Sequence, residues 1–344
     1  MNSGKVPVNV LKRSVLRQLK NKRTEIANSA GLGADCAVFA PFSEGQLVTC
    51  VQEGVVELQC ENDLAEAERE DLSVMPMRRI FQKCANNLAA AGAEPVAAEL
   101  VIFLPETVEE PELKALMEEA ERAATDLNIQ IIGGQTRVSS AVRQPIATVT
   151  GYGILSEAAV TQVSAGKILA GQDIIITKWI GLEGTADLAA RNQEGLLTRY
   201  PAYLVEEAAA FDRYYSILPE AATAVKSGGC TMHDASEGGI FAGLWEMAEG
   251  AGVGLTIDMK KLPLRQETVE VCEFCNVNPY ELRSGGSLII ASPEGTAVVE
   301  ALAAEGIPAV IVGRFTDSNE RLILNEDEVR YMDRPQRDEI YKSV

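Results

Sequence analysis

Three residues punctuate positions 76 to 95 so closely that the segment has few ways to fold. Pro76 suits the first turn of a helix, Gly92 suits its left-handed close, and Pro95 blocks continuation. The helix between Pro76 and Gly92 carries most of the segment Lys83 to Pro95, KCANNLAAAGAEP, and places Asn86 and Asn87 in its C-terminal half. Beyond Pro95 the chain alternates in type. The apolar pattern predicts a strand over Ala97 to Leu104, a charged amphipathic helix over Val108 to Leu127, and strands over Asn128 to Ile132 and Ile146 to Ile154. Upstream lie an amphipathic helix around Val10 to Leu19, strand pieces near Ala37 and over Gln46 to Val51, and an acidic stretch, Glu61 to Asp71, read as a solvated segment. This mixture predicts an α/β (α+β) class.

A chain of 344 residues exceeds one typical core, so two domains are expected. The pattern resets around Ser156 to Gly171, which places the boundary near 157 and gives domains 1–156 and 157–344. The second half reads as another layered α/β unit. Its helices are expected over Glu183 to Asn192, Ala202 to Leu218, Glu220 to Lys226, Ser236 to Ala251, Gln266 to Cys275 and Gly295 to Glu305. Its strands are expected over Gln172 to Lys178, Val253 to Asp258, Ser287 to Ala291 and Ala309 to Arg314, with a terminal hairpin over Leu322 to Leu324 and Val329 to Met332.

Charge and composition exclude several functions. Fifty acids against 31 bases give a net charge of −19, a field that opposes polyanions and argues against nucleic acid. No apolar run approaches the ~18 residues of a membrane span. The N-terminus lacks an apolar signal core, so a cytoplasmic location is expected. Seven scattered cysteines read as thiols in a reducing compartment. Cys272 and Cys275 read as packing residues rather than half of a zinc site, and a single histidine, His233, excludes a His-rich metal centre.

Several segments carry a family resemblance. Gly31 to Phe39, GLGADCAVF, looks like a Gly-x-Asp-Asp loop; Asn86-Asn87 stands where an Asn-Asp helix would be; Ile131 to Val138, IIGGQTRV, looks like a strand-end Gly-Gly-Asp-Thr turn. Met232 to Trp245, MHDASEGGIFAGLW, looks like a His-Asp-Ala-Thr-x-Gly-Gly signature. Together they resemble the PurM-like superfamily of aminoimidazole ribonucleotide synthetase, thiamine-monophosphate kinase, selenophosphate synthetase and, nearest, the hydrogenase maturation factor HypE. That resemblance implies a two-domain architecture with an N-terminal sheet-and-helix dimerisation domain, a homodimer, and ATP with magnesium as cofactors.

The same resemblance locates a ligand site and what has changed in it. Phosphoryl transfer depends on magnesium held by carboxylates. At the four positions where the family places them, this chain has Ala34 beside Asp35, Gln52, Asn87 and Gln135. Amides keep the size of the acids but coordinate magnesium weakly and donate hydrogen bonds instead. The ligand-binding set is therefore Asp35, Gln52, Asn86, Asn87, Gly133, Gly134, Gln135, Thr136, His233, Asp234, Glu237 and Gly238, with no catalytic residue and no metal ligand assigned. Ligands elsewhere, at Asp35, Glu53 and the acids of Glu61 to Asp71, are the alternative. Asp234 and Glu237 have capping-box spacing at a helix start, a structural role compatible with an anion held at that helix N-terminus.

In the HypE branch that this chain resembles the tail ends in a reactive cysteine, whereas no cysteine comes after Cys275 here; Cys36 could substitute, though it reads more simply as a packing residue. Three functions are in view. The first is a non-catalytic or altered ligand-binding relative of the ATP-using enzymes, serving metallocentre maturation with a protein partner. The second is an active ATP-dependent enzyme on a small molecule, and the third a genuine carbamoyl dehydratase.

Overall fold

The computed structural model describes residues 4–5, 8–28, 38–39, 45–58, 74–164, 168–228 and 231–343. Two compact units emerge, Met1–Leu88 with Ala93–Glu157, and Ala89–Gly92 with Ala158–Val344.

The first unit holds strands β1 (Gly4–Lys5), β2 (Ile26–Asn28), β3 (Val38–Phe39), β4 (Gln46–Val56), β5 (Val74–Met75), β6 (Glu94–Leu104), β7 (Gln130–Val138) and β8 (Ile146–Leu155). Its helices are α1 (Val8–Val10), continued by a π-helical turn over Leu11–Leu16, then α2 (Met77–Ala90) and α3 (Glu110–Asp126). Six strands form a sheet in the order β1-β7-β6-β8-β4-β5, and β2 pairs with β3. Pro76 precedes α2, and Gly92 comes after it at φ +79°, as the punctuation required.

The faces of this sheet differ sharply. Cys50, Gln52 and Gly54 of β4 point with Gly151, Val149 and Ala147 of β8 toward α2, whose Ile80, Cys84 and Leu88 fill the interval. The alternate residues point the other way. On that open face Leu47, Val51, Phe103 and Ile146 are all exposed, Val51 by 56%. One end of the face is covered by β2 and β3, where Phe39 meets Tyr152 edge-on at 5.6 Å.

The second unit is built from β9 (Asp173–Thr177), β10 (Thr231–Asp234), β11 (Gly254–Asp258), β12 (Leu288–Ser292), β13 (Ala309–Thr316), β14 (Arg321–Asn325) and β15 (Glu328–Tyr331). Between them run α4 (Glu157–Ser164), which begins at the end of the first unit, then α5 (Leu182–Arg191), α6 (Gln193–Arg199), α7 (Ala202–Ala209), α8 (Leu218–Lys226), α9 (Gly239–Ala251), α10 (Gln266–Cys275) and α11 (Gly295–Ala304). The sheet order is β10-β12-β9-β13-β11-β14-β15. Both faces are covered, so β9 reads as an unbroken apolar run. Ile174 and Ile176 pack with Ile240 and Leu244 of α9, while Ile175 packs with Ala221 of α8 and Val298 of α11.

Four sequence expectations change. The segment Ile131 to Val138 is not a turn but the body of β7. The helix expected over Ala202 to Leu218 stops at Ala209 and tightens into a 3₁₀ turn over Ala210–Tyr214. The helix expected from Ser236 starts only at Gly239, because residues 231–234 form β10 and Gly238 turns the chain through the left-handed region at φ +78°. Gln193–Arg199 adds a helix where none was expected.

Candidate functional site

Within the first unit the expected residues fall on two sides of the sheet. Register sets Gln52, Val149, Leu100 and Gly134 in one row and Glu53, Thr148, Val101 and Gln135 in the next. Successive rows face opposite ways. Gln52 therefore lies on the helix-covered side, as do Asn86 and Asn87 of α2, whereas Gln135 projects from the open face. Glu53 shares its row with Gln135 but stands three strands away, about 14 Å at ~4.8 Å per strand.

Asn86 is 2% exposed, and its side-chain carbonyl accepts a hydrogen bond from Nε2 of Gln82 at 2.8 Å, so that oxygen is engaged along its own helix. Asn87 is half-buried, Thr136 is buried and Gln135 exposed. Gly134 has φ +138°, and a Cβ there would lie 1.9 Å from the Leu100 carbonyl oxygen. Gly134 thus lets β7 hug β6 beside the bulge at Ala98 and Glu99, a structural demand read in the sequence as a turn. Asp35 and the Glu61 to Asp71 acids lie outside the described residues.

Among the described residues, Gln52, Asn86, Asn87 and Gln135 carry no carboxylate. They are neutral amides, and the sheet separates Gln52 and Asn87 from Gln135. Among the described residues no three His, Cys, Asp or Glu side chains gather as metal ligands.

In the second unit the Met232 to Trp245 segment runs from β10 through a glycine turn into α9. His233 pairs with Ile289 in the sheet and packs its ring over Gly243, where a Cβ would come within 3.1 Å of Cδ2. Burial lowers its pKa against the opposing pull of Glu246, whose carboxylate lies 3.3 Å from Nε2. Asp234 is buried at the end of β10, and Glu237 is exposed.

The capping box expected of Asp234 and Glu237 is absent. Gly238 holds the cap position of α9 at φ +78° with no capping side chain of its own. The N–H of Gly238 instead donates to Oδ2 of Asp338 at 2.6 Å, a residue one hundred positions downstream. Gly239, at φ +69°, backs onto the carbonyls of Tyr280 and Leu282, where a Cβ would come within 2.7 Å of either oxygen.

Asp338 belongs to a polar node that the sequence did not disclose. Arg283, 4% exposed, lies 3.9 Å from Asp187 and over the ring of Tyr341 at 5.5 Å. Burial opposes its charge, yet Glu183, Asp187 and Asp338 together raise its pKa. Asp338 is raised by burial, despite the N–H groups of Ile340 and Gly238 that stabilise its anion. Around this node Ser284 Oγ accepts the Gly181 N–H at 2.8 Å, and Gly285 leaves room for Glu183. The clue available in sequence was Arg283 in its Ser-Gly-Gly setting; nothing marked Asp338.

Comparison with known proteins agrees with this architecture. Residues 78–155 match the profile of the AIR synthase related protein N-terminal domain, and residues 170–325 match that of its C-terminal domain. Carbamoyl dehydratase HypE of Rhodobacter capsulatus is 30% identical over 67% of this chain and 66% of that protein. A putative hydrogenase expression/formation protein of Methanocaldococcus jannaschii is 27% identical over 60% of this chain and 58% of its own length. The chain thus spans somewhat under two thirds of the length of these curated relatives.

Solved structures share the fold. Escherichia coli HypE superposes with a TM-score of 0.76 at 20% identity, covering 98% of this chain and 99% of that one. HypE in complex with ATP gives 0.72 at 17% identity over 96% and 95%, and a chain of a HypE–HypF complex gives 0.65 at 20% over 86% and 92%. Two domain profiles in order, with HypE among the relatives in both sequence and fold, place the chain as a HypE-like member of the AIR synthase related protein family.

Proposed function

We propose that this protein serves metallocentre maturation, of the kind its hydrogenase-linked relatives are named for, as a ligand-binding or partner-binding protein and not as an ATP-turning enzyme. One observation carries the reading: Asn87 and Gln135 stand as amides where the family resemblance expects magnesium-binding acids, and Gln52 and Asn87 are divided from Gln135 by the sheet. The remaining polar surface of the site can donate hydrogen bonds but offers a divalent cation little charge.

The open sheet face supports a homodimer. Leu47, Val51, Phe103 and Ile146 expose apolar surface on one side of one sheet, and such a patch calls for a cover. A second copy brings the same patch in self-complementary form. A HypE–HypF complex among the solved structures supports a protein partner in a maturation assembly.

The test is calorimetry of the purified chain with ATP and magnesium, together with phosphate release. The expected result is no magnesium-dependent turnover above a mock preparation. Sustained, magnesium-dependent hydrolysis by the purified chain overturns the reading.

A further inference from the structure

Cys50 on β4 and Cys84 on α2 face each other across the helix–sheet interface with their sulfurs 3.4 Å apart. The floor beneath them is Gly151 of β8. A Cβ at that position would lie 2.3 Å from Cys84 Sγ and 3.6 Å from Cys50 Sγ, so the glycine leaves the notch in which both sulfurs sit. Their other contacts are weak ones to backbone: Cys50 Sγ to the Cys84 carbonyl at 3.3 Å and Cys84 Sγ to that of Val149 at 3.9 Å.

The two thiols are unequal. Cys84 is 1% exposed, whereas Cys50 is half-buried and open to a small reagent. Their mutual hydrogen bond lowers the pKa of Cys50 and raises that of Cys84. The accessible thiol is therefore the better nucleophile, and the buried one is placed to resolve what it forms. The sulfurs must close by about 1.4 Å to reach the disulfide bond length of about 2.05 Å.

We propose that Cys50 and Cys84 form a redox pair which a low-molecular-weight disulfide of the glutathione type converts into a protein disulfide, fastening α2 to β4. The Cys50 thiolate attacks one sulfur of the reagent, a mixed disulfide forms, and one equivalent of small thiolate leaves. Cys84 gives up its proton and displaces the second small thiol. Two electrons and two protons pass from the cysteine pair to the reagent, and nothing else is consumed. The bond would tie α2 one turn before Asn87 to β4 two residues before Gln52.

The folded full-length chain is treated with oxidised glutathione, its remaining thiols are alkylated, and its peptides are mapped by mass. The expected product links the Cys50 and Cys84 peptides with loss of two hydrogens, reverses with dithiothreitol, and melts at a higher temperature than the reduced chain. Cys50→Ser abolishes the link, and Cys84→Ser traps glutathione on Cys50. Recovery of both cysteines as alkylated thiols from the folded chain, after treatment that oxidises other cysteines, overturns the proposal. So does a Cys50 bonded to a different cysteine, or a linked form that melts lower.

Discussion

Nζ of Lys178 lies 2.6 Å from a carboxylate oxygen of Glu220, with both side chains buried. The same ammonium donates to the carbonyls of Tyr214 and Ser216, and Lys178 has a backbone φ of +53°. The pair pins the 3₁₀ turn to the end of β9, yet burial still lowers the lysine pKa.

Removing only one partner should therefore be costly. Lys178→Met leaves the Glu220 carboxylate buried without its cation and should cost about 3–5 kcal/mol. Replacing both, as Lys178→Met with Glu220→Leu, should cost clearly less than the sum of the single changes. Urea unfolding of the four proteins in a double-mutant cycle measures the coupling. Additive costs would mean the ion pair contributes little.

Gly151→Ala should destabilise the first unit by about 1–3 kcal/mol, the usual cost of overpacking. The added methyl would sit 2.3 Å from Cys84 Sγ and 3.1 Å from Leu88 Cδ1. Cys84→Ala in the same chain removes the nearer clash and should recover part of the loss. Denaturant midpoints decide it, and a Gly151→Ala protein as stable as its parent contradicts the tight notch.

Asp338 predicts a pH dependence of known sign. Its folded pKa stands above the unfolded value of 3.8 because burial outweighs the N–H groups around it. Its linkage contribution to stability is complete below pH 3.8 and is lost as pH rises through the folded value. Asp338→Asn, which keeps an acceptor for Gly238 and cannot ionise, should gain relative to the parent as pH climbs from about 4 to 7. Asp338→Ala, which leaves the Gly238 N–H unpaired, should lose about 1–3 kcal/mol. Thermal melts of the three chains across that range test both statements.

Val51→Lys should shift the proposed homodimer toward monomer. Val51 is 56% exposed on β4 in the open apolar face, and a charge there must lose its hydration on burial against a second copy. Light scattering coupled to gel filtration reads the mass, with circular dichroism to confirm an unchanged fold. A Val51→Lys chain with the same dimer mass and dissociation constant would place the interface elsewhere.

Local chemistry made much of the fold legible. Proline and glycine bracketed α2 at both ends, and α10 begins and ends where its apolar spacing put it, at Gln266 and Cys275. Two of the errors share one cause, distant partners overriding nearby cues. Gly133 and Gly134 look like turn residues, yet they lie in a strand where Gly134 must approach the Leu100 carbonyl. Asp234 and Glu237 have capping spacing, yet the start of α9 is satisfied by Asp338. The candidate site was legible as residue types and not as an arrangement, because the facing of Gln52 and Gln135 depends on strand register across four strands. No local pattern encodes that register.

The tie between Gly238 and Asp338 also bears on how the chain comes off the ribosome. At about 5–20 residues per second, the hundred residues that separate the start of α9 from its acceptor take roughly 5–20 s to translate. During that interval the nascent second unit carries an open helix end and an Arg283 still missing one of its counter-charges. Its final packing thus waits on residues made a hundred positions later, and a message truncated before codon 338 would yield a unit whose described strands are all present but whose α9 is left uncapped.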